Sequence, residues 1–158
     1  MLASLITNRT VSDVEAVRAL TEAIKTGTAT EEQVRQYLTV HQKGAYTHED
    51  MNRVEAAVEY VANRLIEYGY LNVALPVAAW RVEDKPDLNE FTRYFVNVRM
   101  LRDAITVWSS TPEAPSGITG FDYNKANALE QILIDVDDVL TKVSQAWLYS
   151  GDLYSAEV

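Results

Sequence analysis

Apolar residues recur at a spacing of three and four through three long stretches of this chain. The first stripe consists of Met51, Val54, Val58, Val61, Leu65 and Tyr68. The second stripe consists of Phe91, Tyr94, Val98, Leu101, Ile105 and Trp108. The third stripe consists of Leu129, Leu133, Val136, Leu140, Val143 and Trp147. Because residues three and four apart share one face of an α-helix, each stretch predicts a helix whose apolar face another helix must cover. The fold class predicted is all-α, an elongated bundle of three long helices.

Two shorter helices are predicted ahead of the bundle. Thr10 or Ser12 can cap a helix over residues 11–26, and Gly27 can supply the left-handed exit that a β-carbon opposes. Thr30 and Gln33 form a capping-box pattern that opens a second helix, which we expect to stop near Gly44. Both have only moderate apolar stripes, so they are expected to form a hairpin that packs onto something larger.

The segment over residues 70–86 differs from its neighbours, because it is apolar and contains Pro76. We interpret it as an extended crossover that lies over the bundle. The residues expected to be partly buried in it are Leu71, Val73, Leu75 and Trp80. A two-stranded hairpin, residues 71–75 against 77–82, is a less favoured alternative because such an isolated unit is only marginally stable.

Turn and cap signals bound the three long helices. The third helix should begin at Thr47 and end at Gly69, and the fourth, capped by Asp87, should reach about Trp108. Two prolines and two glycines mark residues 109–121 as a loop, and a fifth helix should run from Asp122 to about Trp147. A single domain is predicted, divided into a hairpin (1–44), a three-helix bundle (45–148) and a C-terminal tail (149–158).

Composition excludes several classes of function. The 14 Lys and Arg stand against 23 Asp and Glu, and the net charge of −9 disfavours nucleic acid and anionic membranes as partners. Arg93, Arg99 and Arg102 are the candidates for a basic patch, but Glu90 lies three residues from Arg93 and Asp103 lies four residues from Arg99. These pairs favour a role in supporting the helix itself. The longest apolar run, residues 73–80, is far short of the roughly 20 residues of a membrane-spanning helix. With no cysteine, disulfides and thiol chemistry are excluded.

No motif predicts catalysis, a cofactor or a metal. His41 and His48 lack further nearby ligands, and His41 is interpreted as a polar residue that suits a helix C-terminus. The acidic cluster Asp135, Asp137 and Asp138 does not follow the EF-hand pattern and is interpreted as a solvated helix face. The glycines of residues 117–120 precede a helix, but no Walker lysine follows them. We therefore predict a protein that is not an enzyme.

The carboxyl end is the candidate surface for protein interaction. Its large apolar residues either fold back onto the bundle or are offered to a partner. The candidate interaction residues are Trp147, Tyr149, Leu153 and Tyr154.

Several strings of residues carry a family resemblance. They are Lys43-Gly44-Ala45-Tyr46, Asp50-Met51-Asn52-Arg53-Val54-Glu55, Tyr68-Gly69-Tyr70, Arg93-Tyr94-Phe95-Val96-Asn97-Val98-Arg99, Asn124 to Asn127, and Tyr149-Ser150-Gly151-Asp152-Leu153-Tyr154-Ser155. Together they resemble a group of small helical proteins encoded in phages and prophages of Gram-positive bacteria and described as structural or tail-region proteins. The resemblance spans about residues 5–157 and brings no catalytic residues with it.

The resemblance implies a non-enzymatic phage structural or assembly protein that acts through protein–protein contacts. Its expected partners are other protein subunits, including phage tail components, and a symmetric homo-oligomer is a further expectation. Such a protein would be made in the bacterial cytoplasm and associated with the virion. The residues leave an alternative, a small-molecule-binding or regulatory bundle in which Trp80, Trp108 and Trp147 line an apolar pocket.

Overall fold

A computed structural model describes the backbone of residues 2–155 and the side chains of residues 2–146. It contains a 3-10 turn, Leu2–Ser4, followed by five α-helices. The helices are α1 (Val11–Lys25), α2 (Glu31–Thr39), α3 (His48–Glu67), α4 (Leu88–Ala104) and α5 (Tyr123–Ser155). No strand occurs within residues 2–155, which confirms the all-α helical bundle.

Four helices begin with the capping box that their sequences favour. At the start of α2, α3 and α4 the caps are Thr30, Thr47 and Asp87, and in each case the side chain three residues on bonds back to the cap's backbone N–H. Thr10, and not Ser12, caps α1. These reciprocal bonds satisfy backbone donors that the first turn of a helix leaves open, which explains why the predicted starts are accurate.

The core is made where α3, α4 and α5 pack against one another. The stripe residues that are buried there are Met51, Val54, Val58, Val61, Leu65, Tyr94, Val98, Leu101, Ile105, Leu129, Leu133, Val136 and Leu140. Tyr68, Phe91 and Val143 lie at its edge and are only partly buried. Trp108 is 42% exposed, because α4 ends at Ala104 and not near Trp108 as predicted. Ile105 leaves the helix in an extended conformation and still places its side chain in the core.

All three long helices run in the same direction. Near the start of α3, Arg53 pairs with Glu130 of α5, whereas Arg64, eleven residues further along, pairs with Asp137. The α4 helix follows the same direction, because Phe95 packs on Phe121 just before α5, and Trp108, beyond the end of α4, bonds to Asp138. Each connection between these helices must therefore return along the bundle.

The first return segment is the extended crossover that the sequence predicted. Leu75 and Trp80 are buried and Leu71 is partly buried, but Val73 is exposed, contrary to expectation. The Asn52 side-chain amide bonds to both the backbone N–H and C=O of Trp80, at 2.7 and 2.8 Å. This segment contains no two-stranded hairpin. At Trp80, the backbone N–H and C=O that a strand would use for pairing bond to the Asn52 side chain instead.

Two further predicted helix ends, those of α2 and α5, are also wrong. The α2 helix stops at Thr39 and not near Gly44, because Val40 is already extended. Gly44 is needed further on, where a β-carbon would lie only 2.0 Å from the backbone oxygen of Asp13. The α5 helix continues through Ser155 rather than ending near Trp147. Gly151 lies within it, and one glycine costs a helix only about 1 kcal/mol relative to alanine, which does not stop a long helix.

Candidate functional site

The hairpin formed by α1 and α2 stands apart from the core. No residue of either helix is buried, and no residue within 11–39 belongs to the hydrophobic core or packs directly against it. The α1 stripe (Val14, Val17, Leu20 and Ile24) is only partly buried. The two helices pack on each other and are joined by a turn in which Thr28 and Ala29 both donate to the Ala23 carbonyl. The hairpin is thus a unit in itself.

A groove of about 620 Å³ lies between this hairpin and the bundle. Tyr37, Leu38 and Val40 line its hairpin side, and Leu38 is 74% exposed. Across the groove lie apolar residues of the helix starts and the crossover, among them Met51, Phe91 and Val82. Both histidines also line it, with Glu49, Arg81 and Asp84. The groove therefore presents an apolar interior with charged groups at intervals.

A buried ion cluster lies at the base of the hairpin. Arg9 Nη2 is 2.8 Å from Asp50 Oδ1 and 2.7 Å from Glu130 Oε1, and all three side chains are almost fully buried. The backbone around Arg9 is held as well, since its N–H donates to the Asn127 amide oxygen and its C=O accepts from the Asn127 amide nitrogen. The segment ahead of α1 is thereby attached to both α3 and α5.

Arg53 and His41 complete the cluster. Arg53 Nη2 contacts Asp50 Oδ1 at 2.5 Å and Glu130 Oε1 at 3.0 Å. His41 Nε2 lies 2.9 Å from Asp50 Oδ2. His41 follows the C-cap of α2, and this bond to Asp50 is a role that the sequence did not predict. The two guanidinium groups balance the two carboxylates in charge. Burying charges is costly unless they are paired and hydrogen-bonded, as these are.

The electrostatics of the cluster keep Asp50 and Arg53 ionised. Burial raises the pKa of Asp50, but hydrogen bonds from His41, the Thr47 backbone and Arg53 outweigh it and lower that pKa to about 2. Burial lowers the pKa of Arg53, and the bonds to Glu130 and Asp50 outweigh this, so that the pKa is raised. A carboxylate with so low a pKa, both of whose oxygens are engaged, is a weak and inaccessible base at neutral pH and is poorly suited to general-base catalysis.

Tyrosine hydroxyls beside the cluster are equally unsuited to proton transfer. Tyr46 and Tyr94 are joined by a hydroxyl contact of 2.5 Å. Burial raises the pKa of both phenols, so neither ionises near neutral pH. The Arg9 guanidinium lies over the Tyr46 ring at 5.5 Å, and the same ring packs edge-on against Phe121. These contacts make the tyrosines part of the packing between the helices.

A second polar network fixes the crossover. Glu55 accepts from the Trp80 indole at 3.2 Å and from Arg93 Nη2 at 2.5 Å. Arg93 and Asn97 also donate to the Pro76 carbonyl, at 2.8 and 2.7 Å. Every charged group in this network has a partner, which gives it a structural role rather than the features of a reaction centre.

The residues that the sequence singled out are distributed over the molecule. Arg93 pairs with Glu55, whereas Arg102 pairs with Glu113, so these arginines bind different partners and do not act as one basic patch. Trp80 lies against Glu55, while Trp108 bonds to Asp138, so these two tryptophans contact different parts of the bundle. Trp147, Tyr149, Leu153 and Tyr154 have side chains outside the described residues, although the α5 backbone runs through all four.

The acidic cluster is only in part the solvated face that the sequence predicted. The Asp138 side chain is 46% exposed and pairs with Lys142 one turn further along α5, and Asp135 accepts from Gln131 of the same helix. Asp137 differs from the expectation, because it pairs with Arg64 of α3. Asp122 accepts from the Lys125 backbone N–H before α5, as its capping role requires.

Sequence reasoning missed the ion cluster because its members are far apart in the chain. Arg9 lies in an irregular segment without a stripe, and it is separated from Glu130 by 121 residues. The one local pattern that involves a member of the cluster is the Thr47 capping box, in which the Asp50 side chain accepts from the Thr47 backbone N–H.

Within the described residues, no group of three or more His, Cys, Asp or Glu side chains is arranged to hold a metal ion. None of the described helices combines the length and the hydropathy needed to cross a bilayer. No protein-family model matches this chain, and searches of curated proteins and of solved structures likewise give no match.

Proposed function

We propose that this protein is a non-enzymatic structural or assembly component of a bacteriophage that acts by contacting other protein subunits. The observation that carries the proposal is the α1–α2 hairpin, which adds nothing to the core and yet lines an apolar groove. The phage assignment and the expected location in the virion rest on the family resemblance.

The exposed apolar residues of the hairpin support a binding role. Soluble monomers rarely expose large contiguous apolar patches, and those that do occur commonly mark interaction sites. Leu38 is 74% and Val82 is 82% exposed, on opposite sides of one groove. A nine-residue helix such as α2 is too short to be stable alone in water, so its retention outside the core favours a role at the surface.

The charged interior supports the non-enzymatic part of the proposal. The Asp50 and Glu130 carboxylates are buried and engaged by two arginines. An active site needs a titratable group near an accessible cleft, and these groups are neither free nor accessible.

The volume of the groove also fits a small-molecule site, for which 300–1,000 Å³ is typical, so the regulatory bundle stays the second candidate. The separate surroundings of Trp80 and Trp108 do not favour the tryptophan-lined pocket that this alternative assumed.

The test combines virion analysis with association measurements. Mass spectrometry of purified particles, induced from a strain that carries the gene, should detect this chain at a fixed ratio to tail proteins. Sedimentation velocity should show a complex with tail proteins encoded beside its gene. The double variant Leu38→Asp with Val40→Asp should weaken that complex, while Leu88→Asp, at an exposed apolar position not among the groove residues, should not.

Absence of the chain from particles and from assembly intermediates would contradict the phage assignment. An association that both variants weaken equally would show that the groove is not the contact surface.

A further inference from the structure

We propose that the α1–α2 hairpin is a hinged unit that the Asp50 carboxylate holds against the bundle. The hairpin opens and closes as one piece, while α3, α4 and α5 stay folded. The inference concerns how the hairpin is attached, and it holds whether or not the groove receives another subunit.

The two chain segments that join the hairpin to the bundle, called here the Arg9 stem and the His41 stem, bind the same carboxylate. Arg9 comes immediately before Thr10, the cap of α1, and its Nη2 lies 2.8 Å from Asp50 Oδ1. His41 comes two residues after the end of α2, and its Nε2 lies 2.9 Å from Asp50 Oδ2. The Asp50 side chain, in the first turn of α3, therefore holds together the two ends of the segment over residues 10–40.

The carboxylate itself is anchored to the bundle independently of the hairpin. Asp50 Oδ2 accepts from the backbone N–H and the hydroxyl of Thr47, at 2.8 and 3.1 Å, within the capping box of α3. Asp50 Oδ1 also accepts from Arg53, which in turn binds Glu130 of α5. The point of attachment thus belongs to the body that remains in place.

The two stems are held unequally, which identifies the pivot and the latch. The Arg9 stem has many restraints, since Arg9 is buried, binds Glu130 as well as Asp50, and pairs through its backbone with Asn127. The chain beyond His41 is fixed at the same place, since Gly44 lies against the Asp13 backbone and Lys43 pairs with the Asp13 side chain at 3.2 Å. The His41 side chain is 26% exposed and binds Asp50 through one nitrogen. We assign the Arg9 stem as the pivot and His41 as the latch.

The body of the hairpin is built to move as a unit. The mutual packing of α1 and α2 and the backbone bonds of their turn hold the two helices together, whereas neither helix contributes to the core. Local opening requires little free energy where few buried apolar contacts are lost. Because Tyr37, Leu38 and Val40 form one side of the groove, opening would change the width of the groove.

Hydrogen exchange on the full chain, measured by mass spectrometry, tests the hinge. Helices this short are barely stable once they are detached from the bundle, so each opening should allow α1 and α2 to unfold. Their amides should therefore exchange together, and at least about ten-fold faster than the central amides of α3 and α5. The variant His41→Ala should accelerate exchange in the hairpin by at least about three-fold and leave the α3 and α5 amides unchanged. His41→Gln, which keeps an N–H donor, should restore part of the protection. Glu59→Gln, at an exposed position of α3 that does not line the groove, should change neither region.

The natural chain has no cysteine, so a pair of spin labels provides a second measurement. Labels at Lys25→Cys, at the exposed end of α1, and Glu59→Cys, on the exposed side of α3, report the distance between the hairpin and the body. The distance distribution should broaden in His41→Ala while the circular dichroism spectrum stays the same. The proposal is overturned if the hairpin amides exchange at the rate of the core, if His41→Ala accelerates both regions equally, or if the distance distribution does not change.

Discussion

At the scale of single residues, the most consequential feature is the buried group formed by Arg9, Asp50, Arg53 and Glu130. Its charges balance, and its hydrogen bonds compensate for much of the cost of removing them from water. Such a group contributes little net stability when intact, but it becomes strongly unfavourable when one partner is lost, because the others remain buried.

The Glu130→Gln variant should therefore unfold more easily. It leaves Arg9 and Arg53 with a single carboxylate, and we expect a loss of about 3 kcal/mol in the free energy of unfolding measured with urea. Glu59→Gln, on an exposed part of α3, is the matched control and should change stability by less than about 0.5 kcal/mol. Equal effects of the two variants would show that the cluster is not buried as described.

Acid should weaken the fold through Asp50. Its pKa is about 2 in the folded protein against 3.8 in the unfolded chain, so its ionisation stabilises the fold above pH 4. That contribution, of order 2 kcal/mol, is lost as the pH falls from about 4 to about 2. Urea unfolding of the wild type and Asp50→Asn over pH 2 to 7 should give a stability difference that shrinks in this window. A difference that is constant with pH would refute the assignment.

At the scale of the helix, a capping box starts both α2 and α3, but the two helices contribute differently to the stability of the fold. Thr30 caps α2 and Thr47 caps α3 through equivalent capping boxes, yet α2 lies outside the core and α3 runs through it. A cap influences global stability only when the helix that it starts unfolds together with the rest of the protein.

Alanine substitutions at the two caps test whether α2 unfolds together with the core. Thr47→Ala should lower the free energy of global unfolding by about 1 kcal/mol, the usual value of a threonine cap. Thr30→Ala should leave global unfolding almost unchanged and instead increase hydrogen exchange in α2. Thermal and urea unfolding followed by circular dichroism measure the first effect, and comparable losses in both variants would mean that the hairpin unfolds with the core.

The helix starts were predictable, because a capping box is complete within four residues and needs no tertiary contact. The stripes were predictable for the same reason, and residues such as Val58 and Leu133 are buried as expected. The end of α4 was not predictable, since Ile105 reaches the core by leaving the helix rather than by continuing it. The contact between Arg9 and Glu130 depends on how the helices assemble, and no local pattern encodes it.

At the scale of the whole molecule, two parts have distinct physical characters. The three long helices form one continuous core, to which the crossover contributes Leu75 and Trp80. The hairpin lies beside this core and makes one side of the groove. The buried apolar contacts that stabilise the fold lie in the first part, and the binding role that we propose belongs to the second.

A charged substitution in the core tests the first part of this division. Val61 is fully buried, so Val61→Asp places an unpaired carboxylate among apolar side chains and should cost several kcal/mol, about 3 or more. Val73→Asp, at an exposed position of the crossover, should cost less than about 0.5 kcal/mol. Melting temperatures followed by circular dichroism provide the comparison, and an unchanged value for Val61→Asp would contradict the described core.

The shared direction of α3, α4 and α5 has an electrostatic consequence. Each helix carries the equivalent of about half a positive charge at its amino end, and three that point the same way add their fields instead of cancelling them. Asp87 and Asp122 stand at two of these amino ends, and Glu49 lies in the first turn of α3. These carboxylates thus do more than support the first turn of each helix, because together they offset a macrodipole that an antiparallel bundle would not have.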